Sequence, residues 1–175
     1  YRHSAPSVHA HVCLTFRGLI DMIAAHPQSV LFCCDHNAVR SPMAEGIMKK
    51  LYGAGIYVQS AGVENDLEID GFAITVCQEI AVELSRHRAR SFDEMDKLGD
   101  DLSSFDLIVA LSPASQRRAL DLTRFFHLTV EYWPIFDPTG LAEDRQDKLR
   151  AYRQTRDQIY DRLKSRWPEL KLSSY

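Results

Sequence analysis

The stretch of sequence that decides the fold is SVLFCCDHNAVRSP, residues 29–42. It begins with a short continuous apolar run over residues 29–33, which is typical of a strand buried on both faces in a parallel sheet. It ends with Ser41-Pro42, where serine is a favoured helix N-cap and proline fits the first helical turn. The stretch therefore predicts a buried strand, a polar loop and the start of a helix.

The same order of elements repeats along the rest of the chain. Apolar runs predict three further strands, over residues 56–60, 105–111 and 127–133. Apolar residues at helical spacing predict four helices, over residues 41–53, 71–83, 112–124 and 142–167. This alternation predicts an α/β fold, a four-stranded parallel sheet with helices on both faces in a Rossmann-like three-layer sandwich.

The 175 residues suffice for one packed domain, which is predicted over residues 29–175. Residues 1–28 are predicted to form an N-terminal extension with one amphipathic helix, because apolar residues recur at helical spacing between Val12 and Ile23. Arg17 and Asp21 interrupt its apolar character, so the extension lacks the pattern of a signal peptide.

The composition argues against several classes of function. The 21 basic and 24 acidic residues give a net charge of −3, so no basic face for nucleic acid is predicted. No apolar run is long enough to span a membrane, and no His and carboxylate cluster has metal-ligand spacing. Neither a metal nor a cofactor is therefore predicted. The four cysteines, Cys13, Cys33, Cys34 and Cys77, lack C-x-x-C spacing, so we predict that all four are free thiols. Free thiols are typical of a reducing compartment, which predicts that the protein is cytoplasmic.

The loop after the first strand carries the candidate chemistry. Cys34 and Arg40 are separated by five residues, a spacing that is a weak signal by itself. Its context is informative, because the strand brings Cys34 to the carboxyl edge of the sheet and a helix begins directly after Arg40. Backbone N–H groups at a helix N-terminus bind anions and favour a cysteine thiolate, and a guanidinium grips two phosphate oxygens. Asn37 tolerates the left-handed backbone that a tight loop requires.

A proton donor for a leaving oxygen is also needed in phosphoryl transfer. Asp137-Pro138 follows the last predicted strand, which places it at the same edge of the sheet as Cys34. An Asp-Pro pair is more often a plain turn, so Asp137 is a candidate acid only because of this position.

Beyond these separate signals, the sequence resembles a known family. Residues 30–45, VLFCCDHNAVRSPMAE, resemble the signature of the low-molecular-weight protein tyrosine phosphatases. Ser60-Ala61-Gly62, the stretch LSRHRAR at residues 84–90 and Asp137-Pro138 agree with the family in order and spacing. The resemblance covers about residues 29 to 167 and implies the phosphotyrosine phosphatase I-like fold, in agreement with the reading from the residues.

The resemblance implies a role for each matching residue. Cys34 would be the nucleophile, Arg40 the phosphate binder and Asp137 the general acid and then the general base. Ser41 would hydrogen-bond the thiolate, with a supporting network of Asn37, Ser60 and His87. The phosphate-binding loop would comprise Asp35, His36, Asn37, Ala38, Val39 and Ser41.

The implied partners are phosphate monoesters. The resemblance predicts a phosphotyrosine-containing protein or a small aryl phosphate as substrate, with inorganic phosphate or another oxyanion bound in the loop and hydrolysis through a phosphocysteine.

The chain departs from the family pattern around the mouth of the site. His36 replaces a glycine, and Val39 replaces a second loop cysteine that protects the nucleophile in many members. Thr139 stands where an aromatic residue usually follows Asp-Pro, and Trp133 or Phe136 is the expected replacement for that aromatic wall. Cys33 is expected to point away from Cys34, to the opposite side of the strand.

Two alternatives stay open at this point. An arsenate reductase on the same fold needs a relay of further cysteines, typically after the third strand, and residues 111–116 contain none. A non-catalytic oxyanion- or phosphoprotein-binding module would use the same loop without turnover.

Overall fold

The computed structural model describes residues 27–168, with four strands and five helices in that range. The strands are β1 (Ser29–Cys34), β2 (Tyr57–Gly62), β3 (Leu107–Ala110) and β4 (Thr129–Tyr132). The helices are α1 (Arg40–Tyr52), α2 (Gly71–Gln78), α3 (Phe92–Lys97), α4 (Pro113–Leu122) and α5 (Arg145–Arg166). The predicted helix between Val12 and Ile23 lies outside the described residues, and the domain start at residue 29 stays a prediction.

The four strands form one parallel sheet in the order β2-β1-β3-β4. β1 is central, with Cys34 opposite Gly62 of β2 and Cys33 opposite Ala110 of β3. Residues 30–33 are completely buried, which explains why β1 is apolar without alternation. The predicted parallel α/β sheet is confirmed, whereas the strand order was not predicted.

Helices cover both faces of the sheet and build two cores. On one face, Val30 and Phe32 of β1 pack in a cluster with α1, α2 and α5. On the other face, Leu31 and Cys33 pack with α3 and α4. Successive residues of a strand point to opposite faces, so Cys33 is directed away from the core that contains Cys34. The predicted three-layer arrangement is confirmed.

α2 is shorter than predicted and α3 was missed. The predicted helix to residue 83 ends at Gln78, because Ala81 adopts a left-handed backbone with φ of 56° and the Val82 N–H returns to the Cys77 carbonyl. α3 begins after a capping box, in which Ser91 and Glu94 each accept from the other's backbone N–H. Its six residues are too few to show helical periodicity.

No helix within residues 27–168 is long and apolar enough to cross a bilayer. The same residues contain no group of three or more His, Cys, Asp or Glu side chains arranged to hold a metal ion.

Candidate active site

The loop between β1 and α1 is held in shape from outside. The backbone N–H groups of Val63, Glu64 and Asp70 donate to the carbonyls of Cys34, Asp35 and Ala38, at 3.0, 2.9 and 3.0 Å. Within the described part of the chain, the N–H groups of residues 35–39 have no acceptor. A loop whose carbonyls are bound outside and whose N–H groups are free is a cradle for an anion.

Gly62 lets the loop approach the sheet closely. A Cβ atom added at Gly62 would lie 2.8 Å from the Asn37 nitrogen and 2.8 Å from the His36 carbonyl carbon. Real Cβ atoms do not approach backbone atoms this closely, so a side chain at Gly62 would push the loop outward. The glycine of the Ser60-Ala61-Gly62 motif therefore allows the loop to pack closely against the end of β2.

Cys34 is the last residue of β1 and is almost fully buried. Its Sγ lies 2.9 Å from the Ser41 Oγ, a hydrogen bond that would stabilise a thiolate. The prediction that Ser41 is the N-cap of α1 is wrong: the helix begins at Arg40, Val39 occupies the cap position, and no side chain caps it. Because the Ser41 hydroxyl bonds Cys34, it is not available to the helix backbone.

Asn37 fixes the conformation of the loop. Its backbone φ is 54°, in the left-handed region expected from the sequence. Its Nδ2 donates to the hydroxyls of Ser41 and Ser60, both at 2.9 Å. Its Oδ1 accepts from the Arg90 backbone N–H and lies 3.0 Å from Nε2 of His87. The structure thus brings Asn37, Ser41, Ser60 and His87 together as the resemblance implied.

Glu45 completes this network and was not predicted as a site residue. Its Oε2 accepts from the Ser60 hydroxyl at 3.1 Å and lies 3.4 Å from Nδ1 of His87, while its Oε1 accepts from Lys49 Nζ at 3.1 Å. Burial disfavours the charge of Glu45, but the His87 hydrogen bond and the Lys49 charge outweigh it and hold its pKa below the ordinary value. A chain of polar contacts therefore runs from the exposed Lys49 through buried groups to Cys34.

Arg40 is buried at the carboxyl ends of the strands. Its Nη1 donates to the carbonyls of Leu111 and Ile135, at 3.4 and 3.2 Å. Its Nη2 lies 3.2 Å from Asp35 Oδ2 and 3.5 Å from Asp137 Oδ2. These contacts orient the guanidinium between the loop and the segment after β4, where it can meet an anion in the cradle.

Asp137 lies at the edge of the sheet where the sequence placed it. Its Oδ1 accepts from the backbone N–H of Thr139 at 3.1 Å and from its hydroxyl at 2.7 Å. The preceding residue, Phe136, is fixed by α5, because its N–H donates to Gln158 and its carbonyl accepts from the Thr155 hydroxyl. The carboxyl of Asp137 is therefore held close to Arg40 and only half exposed.

Comparisons with known proteins identify the family of this chain. The family model of low molecular weight phosphotyrosine protein phosphatase matches residues 29–173. This chain belongs to that family. An arsenate reductase of Oceanobacillus iheyensis is 30% identical over 135 residues, which are 77% of this chain and 91% of the relative.

The solved structures that are similar to this chain include both a phosphatase and an arsenate reductase. A low molecular weight protein tyrosine phosphatase from T. tengcongensis is 26% identical with a TM-score of 0.63, covering 81% of this chain and 98% of that one. An arsenate reductase from Archaeoglobus fulgidus is 27% identical with a TM-score of 0.60, covering 80% and 99%. Membership of the phosphatase family therefore leaves the choice between these two activities to the site.

The mouth of the site contains two of the residues for which the sequence analysis expected a departure from the family pattern, His36 and Thr139. A cavity of about 250 Å³ lies above Cys34, and His36 lines it. Nδ1 of His36 lies 2.6 Å from Asp66 Oδ1, so the side chain is tied to the segment that flanks the loop. Leu67 and Thr139 also line the cavity.

No Phe, Tyr or Trp side chain among the described residues lines this cavity. The expectation that Trp133 replaces the family's aromatic wall is wrong, because Trp133 is 1% exposed and packs against Phe32 and Trp167 in the core. Phe136 is partly exposed and does not line the cavity either.

The two other cysteines in the described residues are buried. Burial raises the pKa of Cys33 far above its ordinary value, and its Sγ lies 3.6 Å from the Val109 carbonyl. Burial also raises the pKa of Cys77 to about 12. Both are protonated thiols at neutral pH and enclosed by the two cores.

Proposed function

We propose that this protein is a cysteine-dependent phosphatase that hydrolyses phosphate monoesters, with phosphotyrosine in proteins as its substrate class. The proposal rests on the cradle of free backbone N–H groups next to Cys34. The Cys34 thiol is hydrogen-bonded to Ser41, and the buried Arg40 lies beside the cradle. Inorganic phosphate or another oxyanion is the ligand that this charge distribution accepts.

The reaction proceeds in two steps that the side chains can serve. The Cys34 thiolate attacks phosphorus, an S–P bond forms, and the P–O bond to the leaving group breaks while the carboxyl of Asp137 gives that oxygen its proton. A water molecule then attacks phosphorus and passes a proton to the Asp137 carboxylate. The S–P bond breaks, which restores the thiolate and releases phosphate. Arg40 balances the charge on the phosphoryl oxygens in both steps.

Arsenate reduction is the second candidate, because a relative that is 30% identical bears that name. It would require a thiol to attack an intermediate on Cys34. Cys33 and Cys77 are buried with raised pKa values, and the segment after β3 contains Ser112 and Ser115 where a relay cysteine would be needed. These observations favour the phosphatase over a reductase whose further relay cysteines lie within the described residues.

The deciding experiment measures both activities on the same preparations. Release of aryl alcohol from an aryl phosphate, with chelator present, and reduction of arsenate by added thiol are compared for wild type, Cys34→Ser and Cys33→Ser. We expect metal-independent hydrolysis in wild type and in Cys33→Ser, the matched control whose side chain faces the other core. Cys34→Ser should lose it completely while still binding phosphate.

The outcomes separate the candidates. Arsenate reduction without aryl phosphate hydrolysis would replace the phosphatase proposal by the reductase. Phosphate binding without either activity would favour the binding module. Full hydrolysis by Cys34→Ser would remove Cys34 from the role of nucleophile. The cytoplasmic location stays a prediction from the free thiols.

A further inference from the structure

A second and larger cavity lies behind the phosphate loop. Its volume is about 750 Å³, within the range of small-molecule sites, and it lies between α1, β2, α3 and the segment at residues 83–90. Gly46, Leu84 and Leu98 form apolar parts of its wall, and Leu98 is largely exposed. The mechanism proposed for Cys34 makes no use of this cavity.

The rim of this cavity carries unpaired positive charge. Arg86, Arg88 and Lys97 line it, and none of them has a hydrogen-bond or ion-pair partner within residues 27–168. Arg86 and Arg88 belong to the stretch LSRHRAR, in which the supporting network uses only His87 and Arg90. Arg86 interacts with the charge of Glu83 without a direct ion pair, and the field of Arg88 and Lys97 is available to a ligand.

The other charged groups of the cavity are already engaged. Lys49 is paired with Glu45 and Arg90 with Asp100. Glu94 accepts from the Ser91 N–H and from Asn65. Glu83 accepts from the Ser85 N–H, which lowers the pKa of Glu83 and keeps it ionised. Glu83 and Glu94 are the two adverse charges on the rim that have no ion-pair partner within residues 27–168, and they face the three cations Arg86, Arg88 and Lys97.

This cavity is connected to the nucleophile. Ser60 and His87 line it, and both are hydrogen-bonded to Asn37. Asn37 in turn holds Ser41, whose hydroxyl contacts Cys34. A ligand that contacts the partly exposed His87 competes with its partners Asn37 and Glu45, and any shift of Asn37 changes the loop proposed to bind phosphate.

We propose that this second cavity binds a small organic anion, an apolar or aromatic body with one or two carboxylate, sulfonate or phosphate groups. The anionic groups meet Arg86, Arg88 and Lys97, and the apolar body lies against Leu84 and Leu98. Its binding changes the affinity of the Cys34 loop for phosphate, and phosphate changes the affinity for the second ligand by the same factor.

The test uses naphthalene disulfonate as the probe and calorimetry as the measurement, on the full chain. Binding is measured with and without saturating inorganic phosphate, for wild type, R86Q/R88Q and the charge-matched control R117Q/R124Q. Arg117 and Arg124 lie in and just after α4 and do not line the cavity. We expect R86Q/R88Q to bind the probe at least about tenfold more weakly, and the control to bind as wild type does. The phosphate dissociation constant should change about fivefold when the probe is bound.

Three results would overturn the inference. Equal probe binding by wild type and R86Q/R88Q, or no binding by wild type, would refute the site. Probe binding with an unchanged phosphate affinity would refute the connection to Cys34. Arg86 and Arg88 are exposed, so the double variant should fold, which its unfolding midpoint verifies. Neither probe binding nor phosphate binding requires turnover. A negative result for the second cavity therefore does not affect the phosphatase proposal, and a negative result for hydrolysis does not affect the second cavity.

Discussion

Asn37 shows how much a single residue can determine in this loop. Its amide satisfies four polar neighbours while its backbone occupies a left-handed conformation that most residues avoid. Glycine would keep the backbone and lose the hydrogen bonds, whereas alanine would lose both. The two substitutions therefore separate side-chain bonding from backbone strain.

We expect Asn37→Gly to weaken phosphate binding and to lower the free energy of unfolding by about 1–3 kcal/mol, because Ser60 and the Arg90 N–H lose buried partners. Asn37→Ala should cost about 1 kcal/mol more, since alanine disfavours positive φ. Phosphate titration and urea unfolding measure both effects. Wild-type phosphate affinity in Asn37→Gly would show that the hydrogen bonds do not hold the loop.

Asp137 is the other residue whose role can be isolated. If it donates the proton, Asp137→Asn should slow hydrolysis of aryl phosphates with poor leaving groups by about 10²–10⁴-fold and affect good leaving groups far less. Turnover is compared across a series of substituted phenyl phosphates. Asp161→Asn, an exposed charge on α5, is the control and should match wild type throughout. Equal losses for all leaving groups would remove Asp137 from the acid role.

At the scale of elements, α3 depends on its cap more than the longer helices do. It has six residues, so the capping box of Ser91 and Glu94 satisfies a large share of its free N–H groups. The isolated bridge between Ser91 and Gly62 also places this cap beside the end of β2. Phe92 and Met95 of α3 are buried in the second core, so the helix is fixed by packing as well.

Ser91→Ala should therefore lower the free energy of unfolding by about 1 kcal/mol, the usual cost of a lost N-cap. Ser165→Ala, in the exposed last turn of α5, is the matched control and should change it by less than about 0.5 kcal/mol. Chemical denaturation gives both values. Equal effects of the two substitutions would show that packing alone holds α3.

At the scale of the whole molecule, Glu45 links the stability of the fold to pH. It joins α1 to β2 through Ser60 and to the segment after α2 through His87. Its pKa in the folded protein is lowered below the ordinary value of 4.5, despite opposing burial, because His87 and Lys49 favour the carboxylate. Such a group contributes stability above its ordinary pKa, and the contribution disappears as the pH falls from there through the lowered value.

Glu45→Gln should therefore be less stable than wild type at pH 7, and the difference should shrink below about pH 4.5. Urea midpoints between about pH 7 and 3 measure it. Glu143→Gln, an exposed carboxylate ahead of α5, should follow wild type at every pH. A difference that stays constant down to about pH 3 would contradict the role of the Glu45 charge.

Local sequence signals were sufficient where a structure depends on neighbouring residues. The apolar run of β1, the cap and proline at Ser112-Pro113, and the long amphipathic α5 were all predictable, since each arises from periodicity or capping within one element. Ser41-Pro42 has the same local pattern as Ser112-Pro113 and gave a wrong N-cap. The Ser41 hydroxyl bonds Cys34 and Asn37, and the loop geometry that creates these contacts is not visible in the pattern.

The sequence alone determined the α/β class, the position of Cys34 and Arg40 on a loop between a strand and a helix, and the place of Asp137 after the last strand. These follow from local patterns and from the rule that parallel strands end at one edge. Only the tertiary structure decided that Glu45 supports the loop, that Trp133 is in the core, and that Arg86 and Arg88 border a second cavity. The reason is physical: burial, pairing and the free space around a side chain depend on segments far apart in the chain, and these meet only when the sheet and its helices have packed.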